Sequence, residues 1–185
     1  MGCRSHLKQD QTPACNYRRS IANFGSGIRI DFEFESISNF NETSQINLTR
    51  DYDPSIPEIN GDENLFVQAL LNIVKNAQQA IEKTEDASIT IKSRIEYGTP
   101  INGVIHQTIC CIEIKDNGPG FQTKNLAKLF EPYVTGRDAG TGLGLAIAQK
   151  IIQDHAGQIK LQNHHEGGAL ITISIPLSGE KKSKD

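Results

Sequence analysis

The sequence predicts an α+β fold: a two-layer α/β sandwich in which a mixed sheet carries helices on one face. Three observations lead there. Several segments alternate strictly between apolar and polar residues, as half-buried strands do. One stretch spaces its apolar residues three and four apart, as an amphipathic helix does. The strands come in hairpin-linked pairs with helices between the pairs. With 185 residues, the chain is long enough for one domain with its own core.

Residues 1–27 carry little pattern and end in Gly25-Ser26-Gly27; they read as a poorly ordered N-terminal segment. The domain proper is expected over 28–178, and a charged tail over 179–185. Ile28 to Glu35 alternates, with Ile28, Ile30, Phe32 and Phe34 on one face, and reads as a strand. A second, short strand is expected near Ile46 to Arg50, ended by Pro54 and Pro57. Asp62 stands as the N-cap of a helix whose stripe runs Leu65, Phe66, Ala69, Leu70, Ile73, Val74, Ala77, Ala80 and Ile81. Ser88 to Ile95 and Gln107 to Lys115 read as strands, joined by a loop marked by Gly98-Thr99-Pro100 and Asn102-Gly103. A short helix is expected over Lys124 to Leu129, and a longer one from Gly142 to His155 that stops at Gly157 as its C′ residue. Ile159 to Gln162 and Ala169 to Ile175 close the sheet as an antiparallel pair. The outward strand residues are charged, so the face of the sheet away from the helices is expected to meet solvent.

Composition excludes several functions. The net charge of −3 gives no field for nucleic acid or anionic membranes. No apolar run approaches the roughly 20 residues that span a bilayer, and the first ten residues lack a signal-peptide core. The four cysteines, Cys3, Cys15, Cys110 and Cys111, form no Cys-x-x-Cys pair and read as reduced thiols of a cytoplasmic protein.

Chemistry concentrates between Asp116 and Leu145. Asp116-Asn117-Gly118-Pro119-Gly120 and Gly140-Thr141-Gly142-Leu143-Gly144-Leu145 bracket the segment Leu129-Phe130-Glu131-Pro132-Tyr133. Glycines let backbone approach a ligand and turn amides toward phosphate, and a helix start favours an anion. Leu145 occupies the place of the last glycine of a dinucleotide fingerprint, and no Gly-Lys-Ser/Thr follows, so neither a Rossmann site nor a P-loop fits. Asn72 and Asn76 lie four apart on the long helix, on one face beside the apolar stripe. They either cap a neighbouring loop or offer amide oxygens to a magnesium ion between phosphates. Asp116 either closes an Asx-turn or accepts a hydrogen bond from an exocyclic amine such as that of adenine.

These segments resemble a known family. Leu71-Asn72-Ile73-Val74-Lys75-Asn76-Ala77 is similar to the N box of sensor histidine kinases, Asp116 to Gly120 to their G1 box, Phe130-Glu131-Pro132-Tyr133 to their F box and Gly140 to Leu145 to their G2 box. The resemblance is to the catalytic, ATP-binding domain of the GHKL superfamily, with its Bergerat fold. It covers roughly residues 46–177, and Asp51-Tyr52-Asp53-Pro54-Ser55-Ile56-Pro57, Gln68 to Ala80 and Tyr133-Val134-Thr135-Gly136-Arg137 resemble the nitrogen-regulation kinases of the NtrB type, with the NtrY type beside them. It implies ATP and Mg2+ as cofactors. Asn76 then ligates the metal, and Asn72 contacts the phosphates or supports that site. Asp116 bonds the adenine amine, with Gly118 and Gly120 shaping the pocket. Gly140, Thr141, Gly142, Leu143 and Gly144 form a lid over the phosphates, anchored by Phe130, and Lys75 and Arg137 reach the phosphates as catalytic cations.

The family phosphorylates a histidine followed by an acidic residue and, further on, a proline, on a separate helical hairpin. None of His6, His106, His155, His164 and His165 has that setting; His164-His165 reads as an exposed pair in a turn. Only 61 residues precede Asp62, too few for such a hairpin, so the chain reads as a fragment and, lacking the dimerising hairpin, as a monomer. The resemblance implies as partners that hairpin of the parent kinase, an NtrC-like response regulator and a PII-type signal protein, with no nucleic acid and no membrane. A GHKL-type ATPase or serine kinase, or a non-catalytic nucleotide-binding fragment, is the alternative.

Overall fold

The computed structural model describes residues 28–29, 46–134 and 141–177. The elements run β1 (Asn47–Tyr52), α1 (Glu63–Ile81), β2 (Ser88–Ile101), β3 (Val104–Asp116), a single-turn 3-10 helix (Leu126–Phe130), α2 (Gly144–Asp154), β4 (Gln158–Asn163) and β5 (Ala169–Pro176). The five strands form one sheet in the order β1-β2-β3-β5-β4. β1 lies parallel to β2 and every other pairing is antiparallel, so the sheet is mixed, as expected. The expected strand from Ile28 lies outside the described residues, apart from Ile28 and Arg29; Ile28 is buried and makes an antiparallel bridge with Ile59.

α1 forms where its periodicity placed it. The Asp62 carboxylate accepts a hydrogen bond from the Leu65 N–H at 3.1 Å, satisfying a donor that the first turn cannot pair. Such a cap contributes about 1 kcal/mol. The buried stripe is Phe66, Ala69, Leu70, Ile73, Val74, Ala77 and Ile81. It packs on Ile89, Ile91, Cys110, Ile112, Ile114, Ile171, Ile173 and Ile175 of the sheet, together with Ala148, Ile151 and Ile152 of α2. Burial pushes the Cys110 and Cys111 thiols up to about 12, Cys111 also by the carboxylates of Glu96 and Glu113.

Three expectations need correction. The stretch Gly98-Thr99-Pro100 is strand, not loop: β2 continues to Ile101 and the hairpin turns on Asn102-Gly103 alone. Both of those residues have positive φ, 50° and 84°, which is what a two-residue hairpin of right-handed twist requires. α2 begins at Gly144 rather than Gly142, and its C′ position falls on Ala156 (φ 58°), not Gly157. The Ala156 N–H donates to the Gln153 carbonyl and the Gly157 N–H to the Ile152 carbonyl, a Schellman end. Gly157 is needed for another reason: a Cβ there would stand 2.8 Å from the Ser174 carbonyl oxygen. The outer sheet face is also less open than its charges suggest. Ile109 and Cys111 alternate with the inward Cys110 and Ile112, yet they are only 0% and 6% exposed.

Candidate nucleotide-binding site

Both glycine clusters seat on α1, one helical turn apart. A Cβ on Gly118 would stand 3.2 Å from the Ala80 carbonyl oxygen and 3.1 Å from Ile81 Cγ2, so the first cluster lies against the C-terminal turn of α1. A Cβ on Gly144 would stand 3.4 Å from Asn76 Nδ2 and 3.8 Å from Asn72 Cβ, so the start of α2 lies over the middle of α1. α2 thus opens over the two asparagines, with no side-chain cap on its first turn among the described residues. Asn72 Nδ2 is buried without a hydrogen-bond partner among the described residues, a costly state for an amide. Asn76 is half-buried, and Lys75, exposed on the next position, is already engaged by another group.

Asp116 ends β3 on the helix side and is 5% exposed. Its Oδ1 accepts two backbone hydrogen bonds, from Gly118 N–H at 2.9 Å and Ala169 N–H at 3.1 Å. The Asx-turn and the buried carboxylate are therefore the same object: one oxygen holds the loop, and the other is not needed for it. Asn117 fixes the loop from outside, accepting from Ser88 N–H at 2.8 Å and donating to the Asp86 carbonyl at 3.0 Å. Gly120 has φ 70°, and a Cβ on it would meet Asn163 Oδ1 at 2.8 Å.

The supporting contacts of four positions went unread in the sequence. Asn163 clasps the segment after Gly120, accepting from Phe121 N–H at 2.7 Å and donating to the Phe121 carbonyl at 3.1 Å. Gly168, with φ 85°, packs its Cα against the backbone of Asp116. Asn117, described above, is the third. His155 is the fourth: its Nε2 accepts from Asp62 N–H at 3.0 Å, which makes Nδ1 the donor to the Ile151 carbonyl at 2.8 Å. It ties the end of α2 to the start of α1, and its ring meets Phe66 edge-on at 5.9 Å. Only the Gly167-Gly168 pair carried a legible signal, that of a turn.

The second cluster is pinned at its base. The Tyr133 N–H donates to the Gly142 carbonyl at 3.1 Å, and a Cβ on Gly142 (φ 65°) would stand 2.7 Å from the Tyr133 carbonyl carbon. Phe130 is half-buried against the core at the end of the 3-10 helix. Thr141 is exposed, and Leu143 stands half-buried at the N-cap of α2. Arg137 and Gly140 lie outside the described residues.

The sequence model of the histidine kinase-, DNA gyrase B- and HSP90-like ATPase family matches residues 61–179. The chain belongs to that family. It is an ATP-binding catalytic domain of histidine-kinase type, and its curated relatives are nitrogen-regulation kinases. The sensory histidine kinase/phosphatase NtrB of Klebsiella oxytoca is 44% identical over 132 residues, 71% of this chain and 37% of that protein. NtrB of Vibrio alginolyticus is 42% identical over 130 residues, 70% of this chain and 37% of that protein. The chain thus spans a little over a third of the curated relatives it matches. Among solved structures, the catalytic domain of histidine kinase ThkA is similar with a TM-score of 0.67 at 26% identity, covering 82% of this chain and 95% of that one. The full-length kinase ShkA, solved in complex with AMPPNP, shares the fold, with a TM-score of 0.63 at 22% identity over 84% of this chain and 31% of that one. These relatives do not favour the ATPase or serine-kinase alternative. No helix among the described residues is long and apolar enough to cross a membrane.

Proposed function

We propose that this domain binds Mg2+-ATP across α1 and donates the γ-phosphoryl group to a histidine on a helical hairpin of an NtrB-type kinase. The observation that carries the reading is the seating of both glycine clusters one turn apart on α1, with Asn72 and Asn76 under one and Asp116 beside the other. The unpartnered Nδ2 of Asn72 is a hydrogen-bond donor, which fits a phosphate oxygen, and the half-buried Asn76 beside it under the start of α2 has an amide oxygen that could meet a hard cation. In this reading Asn76 would hold the magnesium, which would supply charge neutralisation to phosphoryl transfer. Asn72 lends its amide to the phosphates. The free oxygen of Asp116 takes the adenine amine, with Gly118 and Gly120 lining the base. Gly140, Thr141, Gly142, Leu143 and Gly144 close over the phosphates on the Phe130 anchor, with Lys75 and Arg137 as phosphate cations.

The domain works in the cytoplasm. Its phosphoryl group passes through the parent's hairpin to an NtrC-like response regulator, under control of a PII-type signal protein. The test is calorimetric titration of Mg2+-ATP into wild type, Asp116→Asn and Asn76→Ala. Asp116→Asn keeps an acceptor for Gly118 and Ala169 and so separates loop structure from base recognition. Loss of affinity by about tenfold or more is expected in both variants, since a buried hydrogen bond to a charged group is worth about 1.5–3 kcal/mol. Unchanged affinity would remove both assignments. Labelled ATP mixed with an NtrB-type histidine hairpin checks the transfer, and no label on the hairpin argues against it.

A further inference from the structure

We propose that His164, His165 and Glu166 form a site for a divalent transition-metal ion of the zinc class, on the outer face of the sheet and distinct from the Mg2+-ATP notch. The three residues occupy consecutive places in the β4–β5 turn, and their ligand atoms lie within 4.8 Å of one another. Around a tetrahedral zinc with bonds of about 2.0–2.1 Å, ligand atoms stand roughly 3.3 Å apart. Two imidazoles and a carboxylate are the donor set that zinc, nickel and copper prefer and that magnesium avoids.

The turn is built to hold the set together. The His164 N–H donates to the Gly168 carbonyl at 3.0 Å and the Gly167 N–H to the His164 carbonyl at 3.0 Å, so the three side chains leave a closed backbone loop. The two rings meet edge-to-face at 4.3 Å. Beside them lies an open trough of about 280 Å³, lined by Thr90, Lys92, Glu113, Lys115 and Leu170, with room for water or a further ligand to complete the coordination. Glu166 Oε2 faces Lys115, whose Nζ is 3.1 Å away, and His164, whose Nδ1 is 3.6 Å away. The second carboxylate oxygen is left to bind a cation. The strands explain the separation from the nucleotide: Asn163 turns inward to Phe121 while its neighbour His164 joins the outer trough.

The test uses the full chain, stripped of metal and free of nucleotide, titrated calorimetrically with Zn2+ alone and, separately, with Mg2+. Its outcome is therefore independent of ATP binding. One Zn2+ per chain is expected. His164→Gln, His165→Gln and Glu166→Gln should each weaken it about tenfold or more, comparable to the loss of a supporting ligand contact. Their metal-free melting temperatures should stay at that of wild type. Lys115→Met should tighten binding, because it removes a cation that competes for Glu166. Amide resonances of Glu166 and Gly167 should shift on adding Zn2+. Absence of Zn2+ binding, affinity indifferent to all three ligand variants, equal binding of Mg2+, or shifts centred on another histidine would each overturn the proposal.

Discussion

Gly168 and Asp116 touch backbone to backbone: a Cβ on Gly168 would overlap the carbonyl oxygen of Asp116. The residue after Gly168, Ala169, donates its N–H to the Asp116 carboxylate at 3.1 Å. The end of β3 and the start of β5 are thereby fitted to each other at the point where the Asp116–Gly120 loop leaves the sheet.

Gly168→Ala should therefore destabilise the fold by about 3 kcal/mol or more, since it adds overlap to the roughly 1–3 kcal/mol of an unfavourable φ. Gly167→Ala, with φ 101° but no atom within 4 Å of its Cβ, should cost only the backbone part. Urea denaturation of the two variants measures the difference. Equal midpoints would mean that the contact with Asp116 relaxes freely.

Asn72→Leu separates stability from binding. It replaces a buried, unpaired amide with an apolar group of similar size, so the nucleotide-free domain should gain or hold stability, by about 1 kcal/mol at most. Affinity for Mg2+-ATP should fall in the same protein. Thermal melts with and without nucleotide read both effects.

His155→Ala removes the acceptor of the Asp62 N–H and the ring that packs on Phe66. A loss of about 1–3 kcal/mol is expected, with the start of α1 exchanging its amide hydrogens faster. Hydrogen exchange at Leu65 and Phe66 is the direct measurement.

The thiols of Cys110 and Cys111 set an alkaline limit. Their folded values near 12 lie above the ordinary value of 9.0, so the folded state holds protons that the unfolded chain releases. Their contribution is intact below pH 9 and is lost as pH rises toward 12, with a slope of up to about 1.4 kcal/mol per pH unit per thiol. Cys110→Ala should flatten that part of the stability profile. Neither thiol should react with a thiol reagent at pH 8 until the protein unfolds.

Periodicity made α1 and the inner strands legible, because burial on one face is written directly into residue spacing. Ile73, Cys110 and Ile112 are examples. Gly98 and Pro100 suggest a turn because both are turn residues by preference, yet they sit exposed near the far end of β2, where a strand tolerates them. The motif residues Asn72, Asn76, Asp116 and Gly144 were legible as types at fixed spacing. Their supporting contacts were not. Asn163 to Phe121 and His155 to Asp62 join residues 42 and 93 positions apart, and no local pattern records such a pairing.

The double hydrogen bond on Asp116 Oδ1 has a consequence for purine choice. In the proposed site only the other oxygen faces the base, and a carboxylate oxygen can only accept. Adenine presents an amine there, whereas guanine presents a carbonyl, which would leave two acceptors opposed without water between them. Because the backbone has already fixed the carboxylate, it cannot swing aside to admit the wrong base. In the proposed site, rejection of guanine would then be a property of the folded pocket, and the ordering that selectivity requires would be completed during folding rather than at each binding event.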